Sequence, residues 1–307
     1  ETADEDAEIN DEIELDENLD EEEMQESLIE HQSEKEPVSE SDTKQNGAVE
    51  QEPILSGQNA DEKPIAFSEP EKPILDSISG INFRISDEHL GEGSPKQKFR
   101  ANMDAIHMLK KLETEERNAT WQEQEILSKY VGWGALAKAF DKDDPKWAAE
   151  YKELSELLTP QEYAQARSTV NDAFYTSPTV IDGIYEALSN FGFDGGNVLE
   201  PAMGIGNFFG RMPEAMQSHS QLYGVEIDSL SGRIAQALYP DADIAIQGFE
   251  QNRFQNGSFD VAVGNVPFGE LGFRDTVHDT TKLHDFFFAE ALDKLKDGGI
   301  MDLGRHT

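Results

Sequence analysis

From Asn197 onward, short apolar runs alternate with stretches of helical periodicity, and that alternation leaves few architectures open. Asn197–Glu200, Gln221–Glu226, Ala242–Gln247 and Ser258–Gly264 read as strands, the last carrying the apolar run Val261-Ala-Val263. Gly206–Met216, Ser229–Leu238 and His284–Leu295 read as helices, and Gly299 onward begins another strand. Parallel strands need a crossover connection, and a helix supplies it, so the pattern predicts a parallel sheet covered by helices. In such a sheet ligands sit beyond the carboxyl ends of the strands. That rule singles out Glu200, Glu226, Gln247 and Asn265 before any motif is considered.

The sequence upstream is of two kinds. Residues 1–95 carry 30 acidic and 5 basic side chains, and the first 30 residues hold 16 acids and no base. Such a segment repels itself and buries too little apolar surface to offset the entropy of ordering. Glu-Pro and Lys-Pro steps extend it as a linker. Residues 1–95 are therefore expected to be an acidic disordered tail and linker, with Ile65–Phe67 and Ile74–Phe83 as short apolar pieces able to dock. Residues 96–173 are expected to be helical, through Phe99–Leu112, Thr120–Lys129, Pro145–Leu158 and Pro160–Phe174. Val180–Leu188 follows as a further helical stretch within the core, 174–307. Between the first helices lies Tyr130-Val-Gly-Trp-Gly134, where packing of Trp133 into the core outweighs a contact with DNA. The chain has no cysteine, which removes disulfides and thiolate metal sites, and no apolar run approaches the roughly 20 residues that span a bilayer. A soluble, cytoplasmic protein is the expectation.

The strand ends carry the chemistry. Val198-Leu-Glu-Pro-Ala-Met-Gly-Ile-Gly-Asn-Phe208 leaves a strand, turns through Gly204 and Gly206, and enters a helix. It is neither the G-x-G-x-x-G phosphate fingerprint, since Phe209 stands at the third glycine, nor a P-loop. Glu200 would repel a phosphate and suits a ligand with a positive centre. Twenty residues past Gly206, Glu226 ends the second strand, where a carboxylate can accept both hydroxyls of an adenosine ribose. Gln247-Gly-Phe249 offers an amide to an adenine edge and a ring to its face. His278 and His284 lack the spacing of a metal motif, so no metal is expected.

These stretches resemble the N6-adenine DNA methyltransferase family, and in particular the methyltransferase portion of large helicase–methylase proteins of conjugative elements and phages. The likeness runs from about Tyr130 to Gly299. It is carried by Tyr130-Val-Gly-Trp-Gly134, Phe174-Tyr-Thr-Ser-Pro178, Leu199–Phe208 and Asn265-Val-Pro-Phe-Gly269. The resemblance implies a Rossmann-like α/β sheet that binds S-adenosyl-L-methionine and acts on DNA. That fold commonly continues beyond a fifth strand, so the sheet is expected to be incomplete at its C-terminus, preceded by helices and a disordered acidic segment. The resemblance further implies that Phe174, Tyr175 and Thr176 line the methionine side of the cofactor. Glu200, Gly204 and Gly206 would wrap its methionine and sulfonium part, Glu226 would hold the ribose, and Gln247 and Phe249 would meet the adenine. An acid is more usual where this chain has Gln247.

The implied catalytic residues are Asn265, Val266, Pro267 and Phe268, with Val266 where a proline is usual. An exocyclic adenine amine is a weak nucleophile because its lone pair is delocalised into the ring. Accepting its N–H groups on the Asn265 side chain and the Val266 carbonyl would return electron density to nitrogen, while Phe268 stacks on the ring. The expected partners are DNA and a helicase domain encoded downstream, with no membrane. Two other readings stand beside the enzyme: a catalytically silent cofactor- or DNA-binding module of an antirestriction or transfer protein, and an acidic interaction protein acting as a DNA-surface decoy.

Overall fold

Adjacent strand residues point to opposite faces, and the sheet uses both. The computed structural model describes residues 80–134, 136–170, 176–273 and 275–304, all within the unit Ile78–Thr307. Five strands, β1 (Asn197–Glu200), β2 (Gln221–Glu226), β3 (Asp243–Ile246), β4 (Phe259–Asn265) and β5 (Leu295–Gly304), pair in parallel in the order β3-β2-β1-β4-β5. Val198, Leu222, Ile244, Val261 and Val263 pack into one apolar cluster. Their neighbours Leu199, Val225 and Ala262 pack into another, on the opposite face. The order reverses between β1 and β4, so a crevice opens above their carboxyl ends, where α/β sheets bind ligands. This is the Rossmann-like α/β fold expected from the sequence.

The helices are α1 (Pro95–Glu115), α2 (Trp121–Leu127), α3 (Ala148–Leu157), α4 (Pro160–Ser168), α5 (Pro178–Asn190), α6 (Asn207–Arg211), α7 (Glu214–Gln217), α8 (Ser229–Leu238) and α9 (Leu283–Lys294). Ser94, Thr120 and Thr159 start α1, α2 and α4 through capping boxes with Gln97, Glu123 and Glu162. The first face of the sheet carries α5, α6 and α8 together with the upstream helices. The second carries α9 through Phe286, Phe287 and Ala291. Ion pairs bind the upstream helices to the sheet layer: Glu162 of α4 receives Lys110 of α1 at 2.8 Å and also Arg233 of α8.

The structure departs from expectation in three places. Gly206–Met216 is two short helices, because Pro213 pushes Met212 out of the helical region to ψ 131°. Residues 80–95 are not all linker: Phe83 and Ile85 are buried, and their N–H groups donate to the carbonyls of Leu238 and Gly210. β5 starts at Leu295, four residues before the expected Gly299, and its stretch Ile300-Met-Asp-Leu-Gly304 pairs residue for residue with Val261–Asn265. The acidic segment through residue 79, with Ile65–Phe67, lies outside the described residues, as does the 173/174 boundary. Among the described residues, no helix is long and apolar enough to cross a membrane.

Candidate functional site

The turn after β1 folds back onto β2 because β2 has no side chain at Gly224. A Cβ there would lie 2.2 Å from Met203 Sδ. Met203 donates its N–H to Val225 at 3.1 Å, and Gly204, at φ +56°, then donates to Glu226 Oε2 at 2.7 Å. The sequence reading gave Gly204 and Gly206 a common role, and the structure separates them. Gly204 lines a cavity. Gly206 does not: at φ +82° it caps α6, and a Cβ there would lie 2.6 Å from the Tyr239 ring.

Three acids meet at this turn. Glu226 accepts from Gly204 on one oxygen and from Asp228 N–H, at 2.7 Å, on the other. Each oxygen retains acceptor capacity, which two ribose hydroxyls require. Burial, the largest cause, raises its pKa to about 7, and the Asp228 charge adds to the rise against the backbone donors. Glu200 is 2 % exposed, and its Oε2 has no hydrogen-bond partner. Burial and then the charge of Glu226 hold its pKa well above the usual carboxylate range, against the opposing pull of the Phe209 and Phe208 amides. Asp228 uses Oδ2 to cap α8, accepting from Ser231 N–H and Oγ–H, while its buried Oδ1 has no partner.

These groups face a cavity of about 640 Å³, within the usual range of small-molecule sites. Ten of the expected site residues line it: Thr176, Glu200, Gly204, Glu226, Gln247, Phe249, Asn265, Val266, Pro267 and Phe268. Phe174 and Tyr175 lie outside the described residues. Four lining residues are acidic, namely Glu200, Glu226, Asp228 and Glu250, and none of the described ones is Lys, Arg or His. Such a cavity opposes a phosphate and favours a ligand bearing positive charge. S-adenosyl-L-methionine fits these donors and acceptors, with a sulfonium and ammonium for buried carboxylates and a ribose for Glu226.

The far wall is the loop after β4. Val266 is buried and donates its N–H to Gly304 of β5 at 3.2 Å, a bond proline could not make. Phe268 stands at the cavity mouth, 38 % exposed, with its ring 5.8 Å from that of His284. Phe249 is placed at the end of β3 as expected, but one face of its ring is stacked on Phe287 at 5.2 Å. An apolar surface the sequence reading missed is Ile227, 66 % exposed on the cavity wall beside Glu226. Its signal is simple: an apolar residue directly after a strand-end acid, where the chain has already left the sheet.

Sequence reading also missed the roof. Tyr130, Gly132 and Trp133 line the same cavity, although they come from the helical region. Trp133 is packed edge-on by Tyr130 and Phe140 and is 1 % exposed, as the core-packing reading expects. Arg211 is nearly buried and paired with Asp182 and Glu88, which leaves its guanidinium committed within the fold. Outside the cavity, His278, Glu290 and Asp293 place their donor atoms within 4.8 Å of one another. Lys294 already pairs with Glu290 there at 3.0 Å.

No family model matches the chain. Over 217 residues it is 29% identical to the Defense against restriction protein B of Escherichia phage P1, a match covering 69% of this chain and 8% of that protein. The chain thus spans about a twelfth of the length of the curated relative it matches. Among solved structures it is similar to the type I restriction-modification system methyltransferase subunit of Streptococcus thermophilus, at 14% identity and a TM-score of 0.35, covering 67% of this chain and 68% of that one. It is also similar to the geranyl diphosphate C-methyltransferase of Streptomyces coelicolor A3(2), at 16% identity and a TM-score of 0.28, covering 51% of each chain.

Proposed function

We propose that the cavity binds S-adenosyl-L-methionine and that the chain directs its methyl group to the N6 amine of adenine in DNA, within a larger protein. The observation that carries this reading is a buried cavity with four acids and no described base, opening beside Asn265-Val-Pro-Phe268. When bound, the cofactor supplies an electrophilic methyl group on a sulfonium. The protein does the rest by positioning. Glu226 orients the ribose, Ile227 and Gln247 border the adenine, and Glu200 faces positive charge. Asn265 and the Val266 carbonyl accept the two N–H bonds of the target amine, raising the electron density on its nitrogen. Phe268, exposed at the mouth, offers a ring face to a base taken out of the stack.

The likeness to a phage protein of defence against restriction supports a second reading, in which the chain is a cofactor- or DNA-binding module of an antirestriction protein. One pair of measurements separates the two. Calorimetry with S-adenosylmethionine should show binding that Glu226→Ala abolishes. Asn265→Ala should retain cofactor binding and lose methyl transfer to adenine-containing DNA. Cofactor binding without transfer by the unmodified chain would favour the module, and no binding at millimolar cofactor would remove the enzyme and leave only a DNA-binding module.

A further inference from the structure

We infer that the indole N–H of Trp133 is a binding donor for the carboxylate at the amino-acid end of the cofactor. The inference rests on the cofactor reading above and assigns it a residue from outside the sheet. A carboxylate entering this cavity meets four acids and no described cationic side chain, so neutral donors must hold it. Two nearby hydroxyls are already committed: Ser168 donates to Gln165 and Thr169 to Ala166, at 2.7 and 3.0 Å. Trp133 lines the cavity, is 1 % exposed, and its Nε1 has no hydrogen-bond partner. Among the described lining residues it is the one buried side-chain nitrogen left in that state. A buried donor without an acceptor is costly and calls for a reason, which a bound anion supplies.

The surroundings hold the indole in place before any ligand arrives. Asn102 of α1 is fully buried and satisfies the loop from both sides. Its Oδ1 accepts from Val131 N–H at 2.8 Å, and its Nδ2 donates to the Gly132 carbonyl. Gly132 takes φ +67°, a conformation that favours glycine. Phe99, Tyr130 and Phe140 then pack around the ring. This explains why a Gly-Trp-Gly loop between helices belongs to the same site as the strand ends.

Trp133→Phe removes the donor and keeps an aromatic ring. Three probes read the effect by calorimetry: S-adenosylmethionine, S-adenosylhomocysteine and 5′-methylthioadenosine, the last lacking the amino-acid end. W133F should weaken the first two about tenfold, the size of one lost hydrogen bond to a charged group, and leave the third unchanged. Equal weakening of all three, or of none, overturns the inference. Should W133F fail to fold, the unsubstituted full chain still decides. It has three tryptophans, and in ¹⁵N spectra the Trp133 indole proton should move downfield with S-adenosylhomocysteine and not with 5′-methylthioadenosine. No shift, or the same shift with both, overturns it. A full chain that binds none of the three probes overturns the cofactor reading itself, an outcome distinct from unchanged binding in W133F.

Discussion

Glu226 is the residue at which folding and binding meet. Its carboxyl titrates at about 7 when buried, against the ordinary value of 4.5. The folded chain therefore holds this proton more tightly than the unfolded chain does. Its contribution to stability is fully present below pH 4.5 and is lost as pH rises through 7. A shift of this size corresponds to roughly 3 kcal/mol. In urea unfolding of the ligand-free chain, Glu226→Gln should reduce the loss of stability between pH 5 and pH 8 by about that amount; an unchanged loss would show that the carboxyl is not buried in the empty protein. Ligand affinity should run the other way. The ionised carboxylate is the better partner for hydroxyls and a nearby cation, so S-adenosylmethionine should bind more tightly as pH rises through 7.

At the scale of elements, the β4–β5 pairing determines what Val266 does. Its N–H bond to Gly304 ties the proposed catalytic loop to the end of β5. Val266→Pro would match the sequence more usual at this position, yet here it removes a buried hydrogen bond. It should cost about 1–2 kcal/mol in unfolding free energy, whatever it does to the loop; a stabilised variant would refute that account. Asn102→Leu should cost more, about 2–4 kcal/mol, by stranding the buried Gly132 carbonyl and the half-buried Val131 N–H, and it should weaken S-adenosylmethionine binding measured by calorimetry. The sheet itself was legible. β1, β2 and α8 fall on the expected residues because each is a short apolar run bounded by turn residues or a cap, which are local signals. Helix starts were equally open to reading in Ser94-x-x-Gln97, Thr120-x-x-Glu123 and Thr159-x-x-Glu162. The roof was not legible. Nothing local in Tyr130–Gly134 says that it will lie over strand ends some 70 residues later, since that juxtaposition depends on how α1 and α4 dock against α8. The same limit hid the docking of Ile85, whose partner lies in α6, whereas Phe83, bonded to α8, ends the apolar piece Ile74–Phe83 that was expected to be able to dock.

For the whole molecule, charge is the governing quantity. Residues 96–307 still carry 33 acids against 20 bases, so the folded part does not present the cationic field that draws DNA. Binding to a DNA duplex should be weak and should fall steeply between low and physiological salt, as read by fluorescence anisotropy. Removing residues 1–79 should leave cofactor affinity unchanged. A rise in DNA affinity on that removal would identify the acidic segment as a mask over the DNA-binding surface, and no change would make it a solubilising tail.

The acid-lined cavity has one more consequence. A cationic ligand entering it favours the ionised form of Glu226, so occupancy and proton release are coupled. Near neutral pH each binding event should discharge a fraction of a proton into solution. The heat observed in calorimetry should then depend on the ionisation enthalpy of the buffer, strongly near pH 6.5 and hardly at all well above 8. In that sense the cofactor serves the fold as the counterion its own sequence omits.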